Sequence, residues 1–220
     1  MAQWNKNTQD FGPNNSSLFE VNQLARKDGS VVGENNHLYV GAYTPKNRLK
    51  VSDEQISFYN TFQFNSAPDI WEEETANGGS SAYDANVNNV DMICSGTAGE
   101  SVIRQTKRVM DYVPGRQSAA TVAFRGGVAD NGYRKRVGLF DESNGIFLEM
   151  HGDNNYFVIR SNTSGTPVER KVEQANWNVD KLDGTGLSGF DLDLSKQHLV
   201  TFDYEWYGAG NVDCFFSLGG

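Results

Sequence analysis

The sequence predicts an all-β protein, an antiparallel β-sandwich of jelly-roll-like type that carries an extended N-terminal arm and a hairpin. Three observations lead to this fold class. Glycine, with 23 residues, joins asparagine, aspartate and serine in interrupting the chain, about every 8 to 12 residues, the turn spacing of sandwiches and barrels. Short runs rich in valine, isoleucine, phenylalanine and tyrosine lie between these turns. No segment keeps a helical period for more than about three turns.

The first 33 residues differ in character from the rest of the chain. Residues 4–17 are polar and are expected to be irregular. The apolar residues on either side of Asp28-Gly29 predict a hairpin over 18–32, because Asp and Gly tolerate the positive φ that a tight turn demands. A short helix capped by Ser17 is the competing interpretation.

The next part of the chain alternates between apolar and polar residues over His37–Tyr43 and Gln55–Phe64. This period of two predicts strands with one face inward and one toward solvent. Pro68–Ser81 is expected to be a loop, because it combines three adjacent glutamates at 72–74 with a run of glycine and serine. The glutamates lack an ordered ligand spacing, so we expect them to be solvated and not to bind a metal ion.

From Val90 onward the predicted strands follow one another closely. Turn residues at Asp141–Gly145, Asp153–Asn155 and Asn162–Gly165 predict three consecutive hairpins, and thus an antiparallel meander within the sandwich. Asn144-Gly145 is expected to supply left-handed residues to the first of these turns. The predicted strands are Asp91–Ser95, Ser101–Lys107, Ser118–Arg125, Lys135–Phe140, Gly145–His151, Tyr156–Ser161, Pro167–Val172, Gln197–Glu205 and Val212–Leu218.

Composition narrows the classes of function. The net charge is −9 and 38% of the residues are hydrophobic, which predicts a folded, soluble protein. No apolar run is long enough to span a membrane, and the N-terminus lacks the apolar stretch of a signal peptide, so we expect neither. An acidic protein repels phosphate, and the basic runs Arg104–Arg108 and Arg134–Arg136 lie within strand-like sequence. We therefore expect solvated strand faces there and no nucleic-acid partner.

The usual signatures of catalysis and metal binding are missing from the sequence. Cys94 and Cys214 have no zinc-ligand spacing, and free cysteine often packs as a small hydrophobic residue, although a disulfide stays open. The three histidines are isolated, and serine lacks a nucleophile-elbow motif. We accordingly predict no catalytic residues, no cofactor and no metal ion.

Carboxylates in two regions leave alternatives to that prediction. Asp180, Asp183, Asp191 and Asp193 surround a glycine-rich loop and could hold a calcium ion, but turn and cap roles are the expectation because the EF-hand pattern is missing. A glycosidase could use two strand carboxylates, for which the candidates are Glu149, Asp203 and Glu205.

Aromatic residues are the remaining candidates for contacts with a ligand or partner. Flat rings stack on sugars, but tryptophan and tyrosine also fill sandwich cores and subunit interfaces. The candidates for a glycan or interface contact are Trp71, Tyr133, Trp177, Trp206 and Tyr207.

Four motifs occur in order between Asp91 and Gly210. They are Val113-Pro114-Gly115-Arg116-Gln117-Ser118, Arg136-Val137-Gly138-Leu139-Phe140-Asp141 with Asn144-Gly145-Ile146-Phe147-Leu148-Glu149, Ala175-Asn176-Trp177-Asn178-Val179-Asp180-Lys181-Leu182-Asp183-Gly184-Thr185-Gly186, and Asp203-Tyr204-Glu205-Trp206-Tyr207-Gly208-Ala209-Gly210. In this combination they resemble a β-sandwich module of virion structural proteins from tailed phages, of the marine or cyanophage-like kind. The N-terminal segment through Asp28-Gly29 resembles the leading segments of tail-associated phage proteins.

The resemblance implies a structural component of a phage virion, associated with the tail fibre or baseplate and assembled in the host cytoplasm. Residues 1–33 would dock onto other virion proteins, and residues 34–220 would form the sandwich body. The resemblance also implies a part in host recognition, for which a glycan on the host surface is a candidate partner. We further expect a homo-oligomer, because identical chains usually assemble with closed symmetry. Alternatives are a capsid decoration or head-fibre protein, or a carbohydrate-binding adhesin. The expected docking residues are Trp4, Phe11, Leu18, Phe19, Val21 and Leu24.

The related module usually continues with several more strands beyond the position of Gly210. We therefore expect either that the body is a fragment of a longer protein, or that a neighbouring subunit completes its sheet.

Overall fold

A computed structural model describes residues 55–110, 117–130, 132–205 and 211–218. The chain divides into two compact units, Met1–Ser57 and Phe58–Gly220, and almost all described residues belong to the second. This part is all-β, and every strand pairing in it is antiparallel. The strands are β1 (Trp71–Ala76), β2 (Ser80–Asp84), β3 (Asn89–Ile93), β4 (Ser101–Thr106), β5 (Gln117–Arg125), β6 (Arg134–Phe140), β7 (Gly145–His151), β8 (Asn154–Ser161), β9 (Val168–Glu173), β10 (Gln197–Glu205) and β11 (Val212–Ser217); the one short helix described, η1 (Gln174–Asn176), is of the 3₁₀ type.

The larger sheet is a meander of four strands in the order β6-β7-β8-β9. The three predicted hairpins are confirmed, but two of the turns are built differently from the prediction. In the first, the Asp141 carboxylate accepts the N–H groups of Ser143 and Asn144 at 2.7 and 2.6 Å. Asparagine is therefore not needed in the left-handed region, and only Gly145, with φ 146°, has a positive φ there.

In the second turn, the structure corrects the predicted position. His151 already pairs with Asn154, so the turn consists of Gly152 and Asp153. Gly152 has φ 61°, a conformation that costs glycine little because it has no Cβ. The asparagines that follow lie in β8 and pair with β7.

The smaller sheet has three strands in the order β11-β10-β5. Its central strand β10 alternates strictly, so that Val200 and Phe202 lie on one face while Thr201 and Asp203 lie on the other. Val200 pairs with Val122 of β5 and Phe216 of β11. One face of this sheet is therefore apolar.

The two sheets share one hydrophobic core, which defines the sandwich. Leu148 from the four-stranded sheet belongs to the same buried cluster as Val200, Phe202 and Phe216 from the three-stranded sheet. The Phe157 ring of β8 lies 6.2 Å from that of Phe202 in an edge-to-face arrangement, a favoured geometry for aromatic pairs. The prediction of an all-β antiparallel sandwich is thus confirmed.

The structure corrects two predictions in the region before Val90. Pro68–Ser81 was expected to be a loop, but it contains β1 and the first residues of β2. The adjacent glutamates are accommodated in a strand because β4 offers partners: Arg104 donates to Glu73 at 2.7 Å, and Gln105 donates to Glu72. Opposite-charge pairs across two strands stabilise a sheet.

The second correction concerns Gln55–Phe64, which was predicted to be a strand but pairs with no strand in the described part of the chain. Its side chains still alternate between half-buried and exposed from Phe58 to Phe62. The alternation in the sequence therefore predicted the burial of these side chains correctly. A strand also needs a neighbouring strand to pair with, and the alternation does not show whether one is present. The predicted strand His37–Tyr43 and the predicted hairpin at 18–32 lie outside the described residues.

Candidate interaction surface

The outer face of the four-stranded sheet carries a network of charged side chains, which we call the charged face. It consists of nine of the residues that point away from the core on β6, β7, β8 and β9. Cross-strand pairing places Arg136 opposite Glu149, and Arg160 opposite Glu169. The members of the charged face are Arg134, Arg136, Phe140, Phe147, Glu149, Tyr156, Arg160, Glu169 and Lys171.

Glu149 lies at the centre of this face and is only 1% exposed. Arg136 donates a hydrogen bond to it at 2.8 Å, and Lys171 donates another at 2.5 Å. Arg134 lies 3.7 Å away. Burial opposes ionisation of Glu149, but the hydrogen bonds from Lys171 and Arg136 outweigh burial and lower its pKa. The carboxylate therefore stays charged and paired.

Glu169 on the edge strand β9 completes the network. Arg160 lies 2.7 Å from its carboxylate, Lys171 3.1 Å and Arg136 3.5 Å. Desolvation raises the pKa of Glu169, but the hydrogen bonds from Arg160 and Lys171 and the nearby positive charges lower it to about 2 overall. The carboxylates of Glu149 and Glu169 thus form ion pairs with arginine and lysine side chains from neighbouring strands.

An aromatic layer lies beneath the charges. Phe147 is fully buried even though it points away from the core. The guanidinium groups of Arg136 and Arg160 lie 5.2 and 5.0 Å from the centre of its ring, within the range of cation–π attraction. Gly138 lies opposite Phe147, and a Cβ there would come within 2.6 Å of the Phe147 Cα. This glycine allows the close approach.

Two of the strand carboxylates considered for a glycosidase, Glu149 and Asp203, do not form a pair. Glu149 points outward from the four-stranded sheet, whereas Asp203 points outward from the three-stranded sheet, on the opposite side of the sandwich. Asp203 is buried, and Gln117 donates to it at 2.5 Å. The side chain of Glu205 lies outside the described atoms. Glycoside hydrolysis needs two carboxyl groups facing one cleft, which Glu149 and Asp203 do not provide.

Three of the four aspartates around the glycine-rich loop serve as caps for turns, as expected. Asp180 accepts the N–H groups of Leu182 and Ser188 at 2.8 and 2.7 Å. Asp183 accepts from Thr185, and Asp193 accepts from Ser195. Hydrogen bonds from these loop groups lower the pKa of each of the three aspartates. No group of three or more potential metal ligands comes together among the residues that the structure describes.

Trp177 and Trp71 pack against other aromatic rings. Trp177 lies 4.7 Å from Phe157 and stacks on Phe216 at 6.1 Å, and its indole N–H donates to the Val172 carbonyl. Trp71 lies within about 6 Å of two phenylalanine rings. Its indole nitrogen is buried without a hydrogen-bond partner in the described part of the chain.

Tyr133 is half-buried, and its hydroxyl donates to the Cys94 carbonyl. Cys94 and Cys214 are not joined by a disulfide. The other candidates lie outside the described residues: Trp4, Phe11, Leu18, Phe19, Val21, Leu24, Trp206 and Tyr207.

The sequence analysis did not identify the charged face as a unit. The signal was present as a period of two, since Arg134 and Arg136 of β6, and Glu169 and Lys171 of β9, lie on alternate positions. Only the register between strands shows that these positions meet on one face. The basic residues at 134 and 136 were expected to be solvated, but Arg136 is ion-paired with a buried carboxylate.

Comparison of the chain with protein-family models, with curated protein sequences and with solved structures found no match. In the described part of the chain, no helix is long and apolar enough to cross a membrane.

Proposed function

We propose that the chain is a structural component of a tailed-phage virion, associated with the tail fibre or baseplate, that works by assembly and not by catalysis. Residues 1–33 dock onto neighbouring virion proteins, and the sandwich body forms part of the particle surface. The proposal rests on the motifs between Asp91 and Gly210 that resemble phage virion modules, together with the all-β sandwich that carries most of them.

The observation that supports the non-catalytic part of the proposal is the bonding of one strand carboxylate, Glu149. Glu149 is held by Arg136 and Lys171 and has a lowered pKa. A general acid needs a raised pKa so that it carries a proton at neutral pH. Glu149 has the opposite shift, and its bonding favours a role in joining strands.

Particle incorporation tests the proposal. A phage that lacks the gene would be complemented with the full chain or with a variant lacking Met1–Ser30, and purified particles would be probed for the protein. We expect the full chain in every particle in a fixed copy number, and the truncated chain to be folded but absent from particles. Normal incorporation of the truncated chain would contradict docking by the arm.

The position of the full chain in particles separates the related alternatives. Copies on the head would indicate a decoration or head-fibre protein instead of a tail component. Absence of the full chain from particles, combined with binding to a glycan array, would favour a carbohydrate-binding adhesin.

A further inference from the structure

The segment Phe58–Phe62 has the side-chain pattern of a strand but lies in no sheet of the described structure. Phe58, Asn60 and Phe62 are half-buried, whereas Tyr59 and Thr61 are exposed. Tyr59 keeps 74% of its surface exposed, and Phe64, just beyond the segment, keeps 84%. We call residues 58–62 the unpaired strand.

The unpaired strand is anchored along one side. The rings of Phe58 and Phe62 pack on Trp71 at 6.2 and 5.8 Å. The Tyr83 hydroxyl donates to the Phe62 carbonyl at 2.9 Å, and Arg104 lies 5.7 Å from the centre of the Phe62 ring. No other hydrogen bond to the main chain of these five residues is present in the described structure. Among the described residues, the other backbone groups of the unpaired strand have no partner, which is the arrangement that β-strand addition uses.

Charge determines which partner fits. The protein carries a net charge of −9, so two copies repel each other at most approaches. Residues 55–67 contain no charged side chain at all. This stretch offers two copies a place to meet without like charges facing each other.

We propose that the unpaired strand pairs in antiparallel register with the same strand of a second copy, about a twofold axis at Asn60. In this register Phe58 lies opposite Phe62 of the second copy, and Tyr59 lies opposite Thr61. Both are favourable cross-strand pairs, aromatic with aromatic and aromatic with β-branched. A twofold contact of identical surfaces is self-complementary and closed, so it forms a dimer and not a filament. This inference goes beyond the proposed function and holds whether or not the chain belongs to a virion.

Charged substitutions at the exposed positions 59 and 61 test both the contact and its register. In the full-length variant Y59E/T61E, the glutamate introduced at position 59 would face the glutamate introduced at position 61 of the second copy. In Y59E/T61K, the same glutamate would face a lysine of the second copy, so attraction replaces repulsion. Val109 and Val128 are 83% and 80% exposed and lie elsewhere on the chain. The variant V109E/V128E therefore gives the same net charge as Y59E/T61E without touching the unpaired strand.

Sedimentation velocity over a range of concentrations, with circular dichroism to check folding, gives the readout. We expect the wild type, Y59E/T61K and V109E/V128E to form dimers. The dissociation constant of Y59E/T61E should rise by at least about tenfold. A monomeric wild type overturns the inference, as does a Y59E/T61E variant that dimerises normally. Loss of the dimer in Y59E/T61K as well overturns the proposed register. Particle incorporation is measured separately, so failure here leaves the proposed function standing.

Discussion

Replacing Glu149 with glutamine should destabilise the sandwich far more than the loss of one charge from the surface. Glutamine has the same shape, but it keeps only one acceptor oxygen for the two cations that now bond the carboxylate at 2.8 and 2.5 Å. Hydrogen bonds to charged groups contribute about 1.5–3 kcal/mol each. Breaking a fully buried ion pair costs about 3–5 kcal/mol, but Arg136 and Lys171 are partly exposed and regain water. We therefore expect a loss of about 2 kcal/mol.

Thermal and urea unfolding of the full chain measure this loss. For a protein of this size, about 2 kcal/mol corresponds to a fall in Tm of about 6 °C. The control is Glu142→Gln, which removes the same charge from an exposed turn position and should leave Tm almost unchanged. Equal Tm values for the two variants would refute the view that the carboxylate at the centre of the charged face joins the strands.

Three further predictions concern other parts of the sandwich. Trp177→Ala should lower Tm by about 7 °C, because it removes a partly buried ring that packs on Phe216; an unchanged Tm would show that this ring adds no packing energy. Gly138→Ala should cost about 2–3 kcal/mol in urea unfolding, because a Cβ would crowd the Phe147 backbone, and full stability would contradict that register. The lowered pKa of Glu169 means that its carboxylate stabilises the fold above its ordinary value of 4.5 and loses this effect as the pH falls toward about 2. Stability measured at about pH 5 and about pH 3 should therefore fall less in Glu169→Gln than in the wild type, and identical falls would contradict the pairing.

Most strands from Val90 onward, and the meander of the four-stranded sheet, could be predicted because the sequence alternates cleanly and its turns contain glycine, asparagine and aspartate. Gly145–His151 and Gln197–Glu205 match the observed strands at both ends. The predictions were wrong where the presence of a neighbouring strand decides whether a segment forms a strand. The glutamates of β1 are typical of a loop by sequence, but they lie in a strand because Arg104 and Gln105 pair with them. Gln55–Phe64 has the pattern of a strand, although it pairs with no strand in the described structure.

The candidate site was harder to predict than the fold. The site combines side chains that lie far apart in the sequence, namely Arg136, Glu149 and Lys171. The sequence alone does not show which strands are neighbours in the sheet. Cross-strand register brings the three side chains together. The tryptophans show the same limit, because Trp177 is held against Phe157 by a loop whose path depends on the aspartate caps of its turns.

Cryo-electron microscopy of purified phage particles would test the central claim most directly. The account predicts symmetric copies of this chain in the density, recognisable by the four-stranded and three-stranded sheets of the sandwich, with residues 1–33 in contact with a neighbouring virion protein. The position of these copies would also show whether the chain belongs to the tail or to the head. Particles of full infectivity that contain no copy of the chain would contradict the account.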